Sequence, residues 1–267
     1  MACEVGPPVV VHESHLHVQL TVPVDQPALR ILCLSDTHDF QHAMPHALPD
    51  ADILVHAGDM TCQGRREELA NVEAWFGSLL AAGTVREIVC IAGNHELSFE
   101  LAAKVPAVRS AQETMKASFV GRCHVHYLED SACEVLGIRF YGSPWTIRPK
   151  SSRPWAFQLA ESDDDQSLGG KFSAIPDRVD VLVTHQPPLG VGDGGDVGSH
   201  PGSAVLLRRV LHTRPRLHVF GHVHSGHGVH RLSESGTLFV NAAVCDDDYN
   251  PVQKPVLVEF VHAVPMA

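Results

Sequence analysis

Short runs of Val, Ile and Leu recur along the chain, at Arg30 to Leu34, Ile53 to His56, Ile88 to Ile91, Val179 to Val183 and Leu217 to Phe220. Continuous apolar runs of this length predict strands buried on both faces. Each run ends at once in a polar turn that contains glycine or histidine: SDTHD, AGDMT, AGNHE, THQPP and GHVH. A turn anchored by a buried strand is held in place by it, so the pattern predicts polar chemistry gathered at strand ends.

Between these runs the period changes to three and four. Arg65 to Leu80 repeats Leu69, Val72, Phe76 and Leu79 at that spacing and is followed by Gly83, which predicts a helix with a glycine stop. Leu97 to Val108 and Ser203 to Leu211 read the same way, the latter with Ser203 as N-cap. Ala132 to Tyr141 reads as two short strands about a turn at Leu136-Gly137, and Gly228 to Leu232, Thr237 to Val240 and Pro255 to Val261 read as further strands. The pattern predicts an α/β fold in which two facing sheets are flanked by helices. Glu161 to Gly170 and Gly190 to Gly202, acidic or Gly-rich, read as surface loops, and no linker separates two complete hydrophobic patterns. We therefore expect one domain over residues 1–267, with its core at about 30–260.

Composition narrows the partners. A chain of 267 residues with 44% hydrophobic and 19% charged residues buries a sizeable core. Its net charge of -11 argues against a nucleic-acid polymer as partner, because such binding rests on Lys and Arg at the phosphates. The seven cysteines form no CxxC pair, which favours a reducing compartment and a cytoplasmic protein, and no apolar run is long enough to predict a membrane span. Oligomeric state has no signature in the sequence.

The turns carry the chemistry. Asp36 and His38, two apart at the end of an extended run, leave one face and grip one cation together. Asp59 follows Gly58, where the missing side chain lets the backbone approach whatever the carboxylate binds, and a carboxylate bridges two metals through its two oxygens. Asn94 and His95 lie in Gly-Asn-His-Glu, the most specific of the five motifs, and His185 follows its strand directly. His222 and His224 present two imidazoles on one side of an extended segment. Mixed carboxylate, amide and imidazole ligands without cysteine suit Mn, Fe or Zn, and the set exceeds what one ion needs, so two divalent ions are expected. His56, before Ala57-Gly58-Asp59, is a candidate supporter of the ligands, whereas His12, His15 and His17 lack an HExxH pattern and read as a polar strand face.

The order D-x-H, GD, GNHE, TH and GHxH resembles the calcineurin-like metallophosphoesterases. Tyr141-Gly142-Ser143-Pro144-Trp145, Trp155-Ala156-Phe157, Thr184 to Gly190, Leu217 to His222 and Val240-Asn241-Ala242 narrow the resemblance to their MPPED branch, similar to class III cyclic nucleotide phosphodiesterases, from about Arg30 to Phe260. The resemblance implies a four-layer α/β/β/α sandwich. It also implies a phosphoric ester hydrolase in which Asp36, His38 and His224 hold one metal, and Asn94, His185 and His222 the other. Asp59 then bridges the two, and His95 contacts the phosphate as catalytic histidine. His227 departs from the branch, whose members often carry Tyr there, which bears on the pocket rim. Two cations would turn a water between them into a hydroxide nucleophile.

GDMTCQG and GNHELSF lack the arginines that a dianionic monoester calls for, which favours small phosphodiesters, cyclic nucleotides among them. A phosphomonoesterase or protein phosphatase is one alternative, and a metal-binding scaffold with little activity the other. Arg148, Arg153 and the Trp145 to Trp155 segment are candidates for stacking on a base, and the Gly190 to Gly202 loop for covering substrate.

Overall fold

In the computed structural model the described residues are 9–12, 14–23, 27–104, 123–149, 155–194 and 200–262. A seven-stranded sheet contains β1 (Val10–Val11), β2 (Leu16–Val22), β3 (Leu29–Leu34), β4 (Ile53–His56), β5 (Glu87–Ile91), β6 (Val125–Leu128) and β15 (Val256–His262), in the order β1-β2-β15-β3-β4-β5-β6. A six-stranded sheet contains β7 (Ser131–Val135), β8 (Ile138–Ser143), β11 (Val181–Thr184), β12 (Leu217–Phe220), β13 (Gly228–Arg231) and β14 (Leu238–Asn241), in the order β13-β14-β12-β11-β8-β7. β9 (Thr146–Ile147) and β10 (Gln158–Leu159) pair separately. Both large sheets are mixed. β3, β4, β5 and β6 run parallel, as do β8, β11, β12 and β14, while β15 and β13 join antiparallel to β3 and β14.

Alternation along the strands builds the layers. Ile31, Cys33, Ile53, Val55 and Val89 face Phe140, Val181, Val183, Leu217 and Val219 in a core between the sheets. The opposite face of the first sheet, Leu32, Leu34 and Leu54, packs on Val72, Trp75 and Phe76 of helix α1 (Arg66–Ala82). Leu182, Phe220 and Phe239 of the second sheet pack on α3 (Leu168–Ser173) and α4 (Ala204–Thr213), which follow α2 (Leu97–Lys104). The result is the predicted sandwich of helices, two mixed sheets and helices. α1 ends on Gly83 at φ 72°, and the Ser203 side chain accepts the Leu206 N–H at the start of α4, as the sequence predicts.

The core extends before Arg30, because β2 pairs in parallel with β15 and buries Val18, Leu20 and Val22. Glu161 to Gly170 is not loop throughout: Ser167 caps α3, whose Gly169 and Gly170 lie against Ser162, Asp163 and Asp165, where a Cβ would collide. Residues 105–108 of the predicted second helix, and residues 195–199 of the Gly190 to Gly202 loop, lie outside the described residues. The six described cysteines are free, and among the described residues no helix is long and apolar enough to cross a membrane.

Candidate metal centre

The turns after β3, β4, β5, β11 and β12 all leave the C-terminal ends of parallel strands, where the two sheets open together. Three groups of buried and half-buried side chains converge there: Asp36, His38 and His224; Asp59, His185 and His222; and His38, Asp59 and His95, with His222 and His95 the half-buried members. In each group the ligand atoms lie within 4.8 Å of one another. Asn94 joins the second, its Oδ1 3.2 Å from His185 Nε2. All seven ligand candidates and His95 are thus brought together.

The local geometry differs from the sequence expectation. Asp36 (φ 53°), His38 (45°), Asp59 (50°) and His222 (68°) occupy the left-handed region rather than an extended run. Asp and His tolerate that region better than most residues, but it carries strain that a packed surrounding must hold. Likewise His222 and His224 do not share one side of a strand. The chain reverses between them into a short 3-10 turn, His224–Gly226, and sends His222 to the Asp59 group and His224 to the Asp36 group.

Hydrogen bonding fixes which nitrogen faces the centre. His185 donates from Nδ1 to the Ala57 carbonyl at 2.8 Å, and His224 from Nδ1 to the Asp246 carbonyl at 2.8 Å. Their Nε2 lone pairs then point inward. His185 Nε2 meets Asp59 Oδ2 at 3.1 Å and Asn94 Oδ1 at 3.2 Å; His224 Nε2 meets Asp36 Oδ1 and His38 Nε2, each at 3.3 Å. Acceptors crowded together in a buried site repel unless a proton or a cation lies among them. The field asks for positive charge: burial would lower the pKa of His185, yet Asp59 and Asp36 raise it to about 9, and Asp36 does the same for His224. Burial holds His38 and His222 down to about 4, so both remain neutral ligands at pH 7. Gly93 and Gly221 leave the room, since a Cβ there would strike Asp59 and Asp36 respectively. The donor set and its charge fit divalent cations.

Supporting groups hold the turns. His56 Nε2 pairs with the Thr37 hydroxyl at 3.1 Å, between Asp36 and His38, as expected of a supporter. The second sheet repeats the device, with His218 Nε2 2.8 Å from the hydroxyl of Thr184, which precedes His185. Burial pushes both imidazoles down to about 3. Glu96, which the sequence singled out only as part of Gly-Asn-His-Glu, ties the site together. Its buried carboxylate accepts the N–H groups of Gly93 (2.6 Å), Asp59 (3.0 Å) and Thr61 (2.9 Å). Burial and the neighbouring Asp59 raise its pKa to about 7. His95 donates to the Cys62 carbonyl from Nδ1 at 2.6 Å, leaving Nε2 toward the cavity and 3.9 Å from Asp59 Oδ2.

The open cavity over this centre has a volume of about 380 Å³ and is bounded at its rim by Trp155, Gln158, Asp247 and Tyr249. Trp145 is not part of it: its indole donates to Asp130 and lies under Lys171. Arg148 donates to the Gln158 carbonyl, Arg153 lies outside the described residues, and half-buried His227 does not line the cavity. Among the described residues no Lys or Arg lines it.

Residues 29–226 match the family model described as calcineurin-like phosphoesterase. The chain is 35% identical to metallophosphoesterase domain-containing protein 1 of Homo sapiens, an alignment covering 91% of this chain and 76% of that protein. It is 34% identical to a UPF0046 protein of Caenorhabditis elegans over 91% of this chain and 85% of the relative. A solved phosphopantetheinyl hydrolase from Mycobacterium tuberculosis shares the fold, at a TM-score of 0.53 and 14% identity over 89% of this chain and 97% of that one. The motif order, the two-sheet sandwich and the buried His/Asp clusters agree with these likenesses. The chain belongs to the calcineurin-like phosphoesterases, in their MPPED branch, a family of metal-dependent phosphoester hydrolases.

Proposed function

We propose that the protein hydrolyses small phosphodiesters, cyclic nucleotides among the candidates, at two divalent cations drawn from Mn, Fe and Zn. Asp36, His38 and His224 would hold one, Asn94, His185 and His222 would hold the other, and Asp59 would contribute to both. The observation that carries this reading is the position of the Asp59 carboxylate, whose Oδ2 lies 3.1 Å from His185 Nε2 and 4.0 Å from His38 Nε2, between the two groups. When bound, the cations neutralise charge on the phosphoryl oxygens and make a water acidic enough to attack near neutral pH. His95 supplies the proton. With Nδ1–H held by the Cys62 carbonyl, protonation places its second proton on the cavity-facing Nε2, ready for the leaving oxygen.

The choice of a diester is supported by charge. A dianionic monoester gains from cations at the rim, whereas the described rim offers Asp247 and no cation. The free cysteines support a reducing compartment, in keeping with a cytoplasmic enzyme. With Mn, the protein is expected to release p-nitrophenol from bis(p-nitrophenyl) phosphate faster than from p-nitrophenyl phosphate. Asp59→Asn is expected to abolish release. His95→Ala is expected to keep the wild-type metal content by elemental analysis while kcat falls about 10²- to 10⁴-fold. No release above the Asp59→Asn control would favour the scaffold, and a preference for the monoester would favour a phosphatase.

A further inference from the structure

Two aromatic rings at the cavity rim have no part in holding metal or moving a proton. Trp155 stacks on His95, with ring centroids 4.3 Å apart and planes 26° from parallel. Tyr249 stands edge-on to His38 at 4.8 Å and to His224 at 5.3 Å, and its centroid is 6.3 Å from that of His95. Both line the open cavity, and Tyr249 is 45% exposed. A large aromatic ring left this bare beside a polar centre has a face free for a ligand.

The loop that carries Tyr249 is built to present it. The Asp246 carboxylate accepts the N–H groups of Asp248 (3.0 Å) and Asn250 (2.8 Å), while the Asp246 carbonyl accepts both the Tyr249 N–H (2.9 Å) and His224 Nδ1–H (2.8 Å). Tyr249 sits at φ 61°, a conformation that glycine or asparagine would adopt more readily. The Tyr249 backbone, tied through the shared Asp246 carbonyl to His224, is thereby fixed relative to the centre.

We propose that Trp155 and Tyr249 are the aromatic walls of a subsite that takes a planar aromatic substituent of the phosphodiester. The assignment rests on the reading of the centre as a phosphodiesterase, because His95 marks where the ester oxygens lie. Both rings are close to that oxygen's position, Trp155 at 4.3 Å and Tyr249 at 6.3 Å from the His95 ring, and both line the same cavity, so a substituent leaving an oxygen held by His95 is within reach of each. Flat ring faces receive an aryl group or a nucleobase alike, by stacking that discriminates against small alkyl groups.

The test uses the metal-loaded protein with bis(p-nitrophenyl) phosphate as reporter, and compares diphenyl phosphate with dimethyl phosphate as competitive inhibitors. Both carry one negative charge, so the ratio of their inhibition constants isolates the rings. Diphenyl phosphate is expected to bind at least about tenfold tighter to the wild type. Tyr249→Leu and Trp155→Leu are each expected to reduce that ratio severalfold, whereas Tyr249→Phe keeps it because the ring and not the hydroxyl carries the preference. A loss of activity with an unchanged ratio in both leucine variants would mean that the rings only shield the centre, which overturns the proposal. Equal inhibition of the wild type by the two diesters overturns it as well. Failure of the wild type to hydrolyse the reporter would instead remove the phosphodiesterase reading beneath it.

Discussion

At the scale of single residues, the centre depends on side chains that act on the backbone as much as on those that face the cavity. Glu96 is fully buried, and its two oxygens accept three backbone N–H groups and the Thr61 hydroxyl. Two of those amides belong to Asp59 itself and to Gly93, which precedes Asn94, so one carboxylate sets the position of candidate ligands on two turns. In Glu96→Gln one acceptor oxygen becomes an amide donor facing backbone donors. The expected cost is about 2–4 kcal/mol by urea denaturation, because buried groups lose partners without gaining water. A loss of metal affinity should accompany it. A variant within about 0.5 kcal/mol of wild type, a typical surface effect, would remove Glu96 from this role.

At the scale of elements, five strand ends supply the site, and each turn has its own means of approach. The turn after β5 uses Gly93, whose ideal Cβ would strike Asp59 Oδ1 and lie 2.7 Å from His185 Nε2. Gly93→Ala is therefore expected to displace both side chains while leaving β5 paired. By calorimetric titration the variant should bind less metal than the wild type, with a far-ultraviolet circular dichroism spectrum unchanged. Full binding by Gly93→Ala would show that the turn yields, and that its closeness is incidental. The strands and α1 were legible from periodicity because burial on both faces requires continuous apolar runs and packing on one face requires the 3.6 period. The turns were legible as motifs but not as conformations. Nothing in Asp36-Thr37-His38 announces left-handed backbone, which is held there by the Thr37–His56 contact and by Asp36 N–H donating to the Gly58 carbonyl at 3.0 Å.

At the scale of the whole molecule, the centre exists because two sheets meet. The first sheet brings Asp36, His38, Asp59 and Asn94, and the second brings His185, His222 and His224. Without cations, protons take their place in this field, and stability must follow pH. His185 and His224 have pKa values raised to about 9 from an ordinary value of 6.5, so their contribution is present in full below pH 6.5 and is lost as pH rises toward 9. His38 and His222, lowered to about 4, act oppositely and weaken the fold as pH falls below 6.5. Metal-stripped protein is thus expected to melt highest near pH 6.5, and several degrees lower at pH 9. Protein loaded with Mn is expected to show little of that alkaline fall, since the cation supplies the charge. Parallel alkaline slopes for the two forms, measured by scanning calorimetry, would mean that the imidazoles do not share the cation's place.

By itself the sequence determined the layered α/β architecture and the residues that gather at strand ends, because hydrophobic period and motif order are local properties of the chain. It also determined the membership in the family, since five short motifs in fixed order are specific together even where each is common alone. The family resemblance implied which histidine of Gly-His-Val-His joins which group, but only the tertiary structure supplied the physical means, a chain reversal at His222 that sends the two imidazoles to different groups. Only the structure separated Trp155, which stacks on His95, from Trp145, which lies under Lys171. It likewise revealed Tyr249, which no motif marks and which reaches the centre through the fold of the loop after Asp246. The residues nearest the chemistry are fixed by contacts between distant segments, and those contacts leave no periodicity to read.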